Sequence, residues 1–279
     1  MQHEDGTAER LAAQYREDGY AVWPEALTAA EVTALLDETT RLCREEAEAL
    51  SGAEASTGSA DDMGRFLAIH FPHKLSPLML ATLAHPRIVD VLTRAIGPNV
   101  KCMQSMLFIK KSGKPGQAWQ QDEDFIPTRD RSLGAAWIAL DDATVENGCL
   151  WVIPGSHKPG ILWPLKAHDN PEYDVTPESY DFPYRDEEAI PVEVKAGSIV
   201  FFHGYLLHKS LKNRSAARFR RALVNHYMSA ESVLPWWRHG GPIPPTQDLR
   251  DIVMVAGVDP YAYKGTVDLN RPYVRRESM

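Results

Sequence analysis

Gly197-Ser-Ile-Val-Phe-Phe-His-Gly-Tyr-Leu-Leu-His208 sets a short apolar run, 198–202, between a glycine and a His-Gly break. A run this short, bounded by turn formers and rich in β-branched and aromatic residues, reads as a β-strand. The same signature recurs at 100–109, 135–140, 150–153, 191–194 and 222–227, each bounded by Gly, Pro, Asn or Asp. Several such strands with turns between them predict an antiparallel double-sheet barrel, a jelly roll.

The sequence before this region is helical. Positions 8–16 carry apolar residues at helical spacing and stop at Asp18-Gly19, and Tyr20-Ala-Val-Trp23 is a short strand ended by Pro24. Thr28 and Glu31 form a capping box. The helix that follows is predicted to reach residue 50, with Val32, Leu35, Leu36 and Leu42 on one face. A further amphipathic helix covers 86–96 and ends at Gly97-Pro98. Positions 51–62 are small and polar and read as a surface loop. The expected fold is mainly β with flanking helices, a cupin-like double-stranded β-helix. Residues 1–279 read as one domain: helices over 7–97, a β-helix core over about 99–228, and an irregular tail over 229–279. The Pro-rich, Tyr-rich stretch 158–189 is either a substrate lid or a surface excursion.

At 279 residues, 44% hydrophobic and 24% charged, the chain can bury a substantial core. A net charge of −8 with no basic run argues against a nucleic-acid partner. No apolar run has the length to cross a bilayer. Cys43, Cys102 and Cys149 form no disulfide framework, and the amino terminus is unlike a signal peptide, so a cytoplasmic location is expected.

Trp119-Gln-Gln-Asp122 carries the chemistry. Residues i and i+2 of a strand face one side, so positions 120 and 122 aim into the same space. Ferrous iron used with a chelating cosubstrate commonly takes two imidazoles and a carboxylate on one face, leaving the other positions open. Asp122 supplies a carboxylate, and His208, after the apolar run 198–202, supplies a distal imidazole. By themselves an acid and a distant histidine are unspecific.

The flanking motifs make the signal specific. Trp119-Gln-Gln-Asp122, Ala136-Trp-Ile-Ala-Leu-Asp-Asp-Ala143, Glu146-Asn-Gly-Cys-Leu-Trp-Val-Ile-Pro-Gly-Ser-His157, the stretch 197–208, Asn213 and Phe219-Arg-Arg-Ala222 occur in order. With the opening Tyr15-Arg-Glu-Asp-Gly-Tyr20, they resemble the phytanoyl-CoA dioxygenase family of 2-oxoglutarate-dependent oxygenases, over about residues 10–230. The resemblance implies a double-stranded β-helix with Fe(II), 2-oxoglutarate as cosubstrate, dioxygen and a small-molecule substrate. It implies Asp122 and His208 as metal ligands, with Gln120 where the family carries histidine. Arg220 would grip the cosubstrate's distal carboxylate, a task that suits a guanidinium fork. Ser210 would hydrogen-bond the same molecule, Trp137 would line its pocket, and Lys74 would add a further contact. Arg218 and Arg221 are rivals for the clamp, with strand alternation and the motif favouring Arg220.

Other residues read first as structural. Trp119 and Trp151 suit packing, His157, His203 and His226 ordinary satisfied histidines, and Asp124, Asp141 and Asp142 turns or solvent. His70 and His73 read as pocket residues rather than ligands. The run Arg129-Asp-Arg131 reads first as a solvated loop and second as a substrate-entrance clamp for an acidic compound.

Gln120 admits three readings. Asp122 and His208 hold iron with Gln120 or water completing the shell; or catalysis is lost and the jelly roll binds 2-oxoglutarate or another carboxylate metabolite; or the glutamine was introduced on a histidine parent to trap an inactive complex. The preferred reading is a dioxygenase acting on a small metabolite, a CoA thioester being disfavoured by the acidic chain and the lack of a phosphate cradle.

Overall fold

The computed structural model describes residues 2–51, 63, 66–233 and 249–276. The first part runs α1 (Gln2–Asp18), β1 (Tyr20–Trp23), α2 (Ala29–Ser51), β2 (Phe66–His70), α3 (Pro77–Leu83) and α4 (Pro86–Ala95). The strands β3 (Val100–Lys110), β4 (Gln117–Gln120), β5 (Gly134–Ala139) and β6 (Leu150–Val152) follow. Next come β7 (Leu165–Lys166), β8 (Glu178–Ser179), β9 (Ile190–Val192), β10 (Ile199–His203), β11 (His208–Ser210) and β12 (Arg220–Ser229). Two strands, β13 (Val253–Ala256) and β14 (Tyr273–Arg276), lie beyond them.

Local chemistry accounts for the helix ends. The backbone N–H of Thr28 donates to Glu31 at 2.7 Å while the Thr28 hydroxyl accepts from the Glu31 N–H at 3.3 Å, the reciprocal capping box at the start of α2. Ser76 caps α3 by accepting from Met79 N–H, and Pro77 fills a position that needs no donor.

A large antiparallel sheet runs β1-β10-β5-β12-β3-β2-β14, with β13 also on β3, and a smaller one runs β4-β11-β6-β9. The two pack face to face as a double-stranded β-helix. Period-2 alternation divides the core. Ile138, Ile199, Phe201, Leu223 and Tyr227 point from the large sheet to the helices, where they meet Leu11 and Tyr15 of α1 and Ile88, Val91 and Leu92 of α4. Trp137, Val200, Phe202, Ala222 and Val224, their neighbours in sequence, point the other way and meet Leu150 and Val152 of the small sheet. Both faces of β5, β10 and β12 are therefore covered, so β5 and β10 read as nearly unbroken apolar runs and β12 does so over 222–224.

The tail departs from the sequence reading. It is not irregular throughout: β13 pairs Val253 with Cys102, and β14 pairs Tyr273 with His70. Both add to the large sheet through backbone hydrogen bonds that local sequence does not advertise. Of the predicted loop 51–62, Ser51 ends α2 and 52–62 lie outside the described residues, as do Trp236-Trp237. The stretch 158–189 is chiefly a surface excursion. Trp163, Phe182 and Tyr184 pack on Trp119 at the outside of the small sheet, and only Thr176 and Pro177 of this stretch reach the cavity described next. Among the described residues no helix is long and apolar enough to cross a membrane.

Candidate active site

A cavity of about 380 Å³ opens between the sheets, lined by Gln120, Asp122, His208, Ser210, Arg220 and Trp137 among others. Gln120 and His208 are cross-strand partners on β4 and β11. The backbone of Gln121 is extended (φ −126°, ψ 124°), so the strand alternation carries on past the end of β4 and Asp122 emerges on the side of Gln120. Gln121 points away from the cavity. Its amide donates to the Ile161 and Tyr205 carbonyls at 2.9 and 2.8 Å and accepts from Trp163 N–H at 2.9 Å, tying the 158–189 stretch to the small sheet.

The Asp122 carboxylate stands between two imidazoles. His208 Nε2 is 3.5 Å from Oδ1, and His226 Nε2 is 3.1 Å from Oδ2. Burial alone would raise the Asp122 carboxyl, but the two imidazoles and the bond to His226 hold it below the usual carboxylate range. His208 Nδ1 donates to the Leu206 carbonyl at 3.0 Å, which leaves the lone pair on Nε2. The Gln120 amide N–H donates toward that nitrogen at 3.3 Å. Among the described residues no three His, Cys, Asp or Glu side chains form a complete metal-binding group. What converges is one carboxylate oxygen, one oriented imidazole nitrogen and the Gln120 amide.

Beyond this cluster the cavity is cationic. Arg220 is buried, its Nε donates to the Gly148 carbonyl at 3.1 Å, and its guanidinium lies 5.6 Å from the Trp137 ring. Burial pushes it down to about 10, still cationic at neutral pH. Gly148 is held at φ +84°, and a Cβ there would sit 2.2 Å from the Leu211 carbonyl, so only glycine presents its carbonyl this way. The Ser210 hydroxyl accepts from Lys110 Nζ at 3.0 Å and from Gln117 N–H at 3.2 Å, keeping its own proton to donate.

Each sequence candidate now has a place. Gln120, Asp122, His208, Ser210, Arg220 and Trp137 share the cavity. The two rival arginines do not: Arg221 is bound bidentately to Asp141, and Arg218 pairs with Glu146 at the surface. Lys74 is a correction. Its ammonium is committed to Asp251 at 2.8 Å, to Asp268 and to the Asn270 carbonyl, so it anchors the tail instead of lining the cavity. Of the pair His70 and His73, only His70 lines the cavity, stacked on Tyr273 with ring centroids 4.1 Å apart; His73 Nδ1 faces the Ser105 hydroxyl at 2.6 Å.

Lys110 escaped the sequence reading, and His226, read there as an ordinary satisfied histidine, belongs to the site. Lys110 is the cross-strand partner of Arg220, and His226 holds Asp122. The signal for His226 is alternation along β12, where 220, 222, 224 and 226 share a face. The tail contributes as well, through Tyr273 and Arg275 at the cavity rim; Arg275 pairs with Asp174 at 2.9 Å and donates to Thr176.

Comparison with known proteins agrees with this architecture. A phytanoyl-CoA dioxygenase of Arabidopsis thaliana is 38% identical over 163 residues, 58% of this chain and 56% of that protein. The phytanoyl-CoA dioxygenase domain-containing protein 1 of Bos taurus is 36% identical over 187 residues, 64% of this chain and 62% of that protein. The alignments thus span between half and two thirds of the length of these relatives. Among solved structures, the epimerase SnoN in complex with Fe3+, alpha ketoglutarate and nogalamycin RO matches with a TM-score of 0.64 at 25% identity, covering 90% of this chain and 96% of SnoN. EvdO2 from Micromonospora carbonacea var. aurantiaca, complexed with 2-oxoglutarate, matches with a TM-score of 0.63 at 25% identity, covering 84% and 94%. The phytanoyl-CoA dioxygenase (PhyH) family profile matches residues 15–222, three quarters of the length. The chain belongs to the phytanoyl-CoA dioxygenase family.

Proposed function

We propose that this chain is an Fe(II)/2-oxoglutarate-dependent dioxygenase that hydroxylates a small-molecule metabolite. The observation that carries the reading is the meeting of the Asp122–His208 pair with Arg220 and Ser210 in one cavity. The donor chemistry fits a divalent cation: a carboxylate oxygen, an imidazole whose Nδ1–H is fixed on a backbone carbonyl, and an amide that presents Oε1 once turned about its last torsion. Ferrous iron bound there supplies the oxidising chemistry, coupling dioxygen activation to decarboxylation of 2-oxoglutarate.

The protein's own residues position and shield. Arg220 takes the distal carboxylate of 2-oxoglutarate, Ser210 donates its hydroxyl proton to it, and Trp137 walls that end. Phe125 and Ile126 line the cavity and keep water from it. An amide oxygen is a weaker donor for Fe(II) than an imidazole nitrogen, so the site holds iron less tightly than a two-histidine site. Three unpaired, buried cysteines suit a reducing compartment, and we place the protein in the cytoplasm.

A second reading, a catalytically inactive jelly roll that binds 2-oxoglutarate or another carboxylate, is favoured by the Gln120 amide lying on the His208 nitrogen a metal would use. One experiment separates the two. 2-Oxoglutarate binding and succinate release are measured with and without Fe(II), for this chain and for Gln120→His. The oxygenase reading expects metal-dependent succinate release that rises at least tenfold in the variant. Metal-independent binding with no turnover in either protein would establish the second reading.

A further inference from the structure

We propose that His226 is a positioning residue for the metal-binding carboxylate: its Nε2–H holds Oδ2 of Asp122 and leaves Oδ1 turned to His208. The inference rests on the oxygenase reading above. β12 seats His226 between Ala135 of β5 and Gln104 of β3, on the face of the sheet that also carries Arg220. Each carboxylate oxygen then meets a different ring, Oδ1 at 3.5 Å from His208 and Oδ2 at 3.1 Å from His226.

The two rings differ in where the proton sits. His208 gives Nδ1–H to the Leu206 carbonyl, so its Nε2 carries a lone pair. His226 Nδ1 is buried and has no hydrogen-bond partner among the described residues, which favours the tautomer with its proton on Nε2, where Asp122 accepts it. One histidine thus offers a donor pair to a cation and the other offers a proton to the carboxylate. Asp122 leaves the sheet at the start of the turn Asp122–Asp124, and its ion-pair partners are these two histidines. Without His226 the carboxylate is free to rotate, and a site already one imidazole short has least tolerance for that.

The rival role, His226 as a substitute ligand for the imidazole missing at position 120, makes opposite predictions. Co(II) affinity of the full chain, with 2-oxoglutarate present, is measured by calorimetry and checked by the Co(II) absorption spectrum. His226→Ala is expected to weaken Co(II) 10- to 100-fold, and His226→Gln, whose amide N–H stands where the ring N–H stood, to restore it to within about threefold. In a Gln120→His background His226→Ala is still expected to weaken Co(II), by a smaller factor, because the restored imidazole makes the site more tolerant while Asp122 still needs holding. Glutamine failing to rescue, or the alanine effect vanishing once Gln120→His is in place, would overturn positioning in favour of ligation. Unchanged affinity in His226→Ala overturns any role. If His226→Ala does not fold, the contrast between His226→Gln and the shorter His226→Asn replaces it, with equal affinities overturning the proposal. Failure of the unsubstituted chain to take up Co(II) overturns the oxygenase reading itself, which the other outcomes leave standing.

Discussion

The Lys110 ammonium donates to the Ser210 hydroxyl at 3.0 Å and to the Leu211 carbonyl at 2.7 Å, directly across the strand from Arg220. Burial, and then the Arg220 cation, push Lys110 well below its ordinary value. Two cations side by side favour an anion between them. Lys110→Met should weaken 2-oxoglutarate binding about tenfold by calorimetry, the loss of one charge-assisted contact. Because the ammonium form attracts the anion and its titration is shifted down, affinity should decline with rising pH earlier than a surface lysine would allow; the methionine variant should lack that decline.

The three neighbouring arginines should separate cleanly. Arg220→Ala should abolish measurable 2-oxoglutarate binding with little change in unfolding temperature. Arg221→Ala breaks a half-buried bidentate pair with Asp141 and should lower stability by about 1–3 kcal/mol while leaving cosubstrate affinity intact. Arg218→Ala removes a surface pair and should change neither by more than about 0.5 kcal/mol. Loss of cosubstrate binding in Arg221→Ala would show that the clamp is misassigned.

Lys74→Met tests the corrected role of that lysine. Cutting its bonds to Asp251, Asp268 and Asn270 should free the segment 249–276 to proteolysis without altering 2-oxoglutarate affinity. A cosubstrate defect with an undisturbed tail would reverse the correction.

Acid sensitivity should trace in part to His203. Its Nδ1 accepts the Tyr205 backbone N–H at 3.0 Å, and burial lowers its pKa to about 4. The unfolded chain binds this proton near pH 6.5 and the folded chain does not, so stability falls as pH drops from about 6.5 to about 4. The contribution is about 1–3 kcal/mol at the low end of that window. His203→Asn, which keeps an acceptor and cannot titrate, should flatten the unfolding temperature across it.

Much of this was legible in sequence, for physical reasons that differ by residue. The strand at 198–202 was visible because both faces are buried, Ile199 and Phe201 on one and Val200 and Phe202 on the other. The strand at 222–227 was visible because Ala222, Leu223 and Val224 repeat that pattern before Asn225 and His226 interrupt it. Gln120 and Asp122 fell on one side as expected because Gln121 stays extended. Lys74 misled because its partners lie 177 residues or more downstream, where local sequence carries no sign of them. Strand β14 hid for a related reason: Tyr-Val-Arg-Arg is too short and too charged to announce itself, and its place comes from pairing with β2. His226, read as an ordinary histidine, was the most recoverable error, since counting by twos from Arg220 leads to the cavity face on which it lies.

The position of β14 has a further consequence. Arg220, Ser210 and Asp122 lie within the span shared with the family, whereas Tyr273 and Arg275 lie some fifty residues past its end. The cavity is therefore closed from two stretches of the chain, its floor from within the span 15–222 and its rim in part from a strand beyond it. Substitutions at Tyr273 or Arg275 would reshape the entrance without touching Asp122, Ser210 or Arg220, so which guest is admitted and what is done to it are set by separate stretches of the chain.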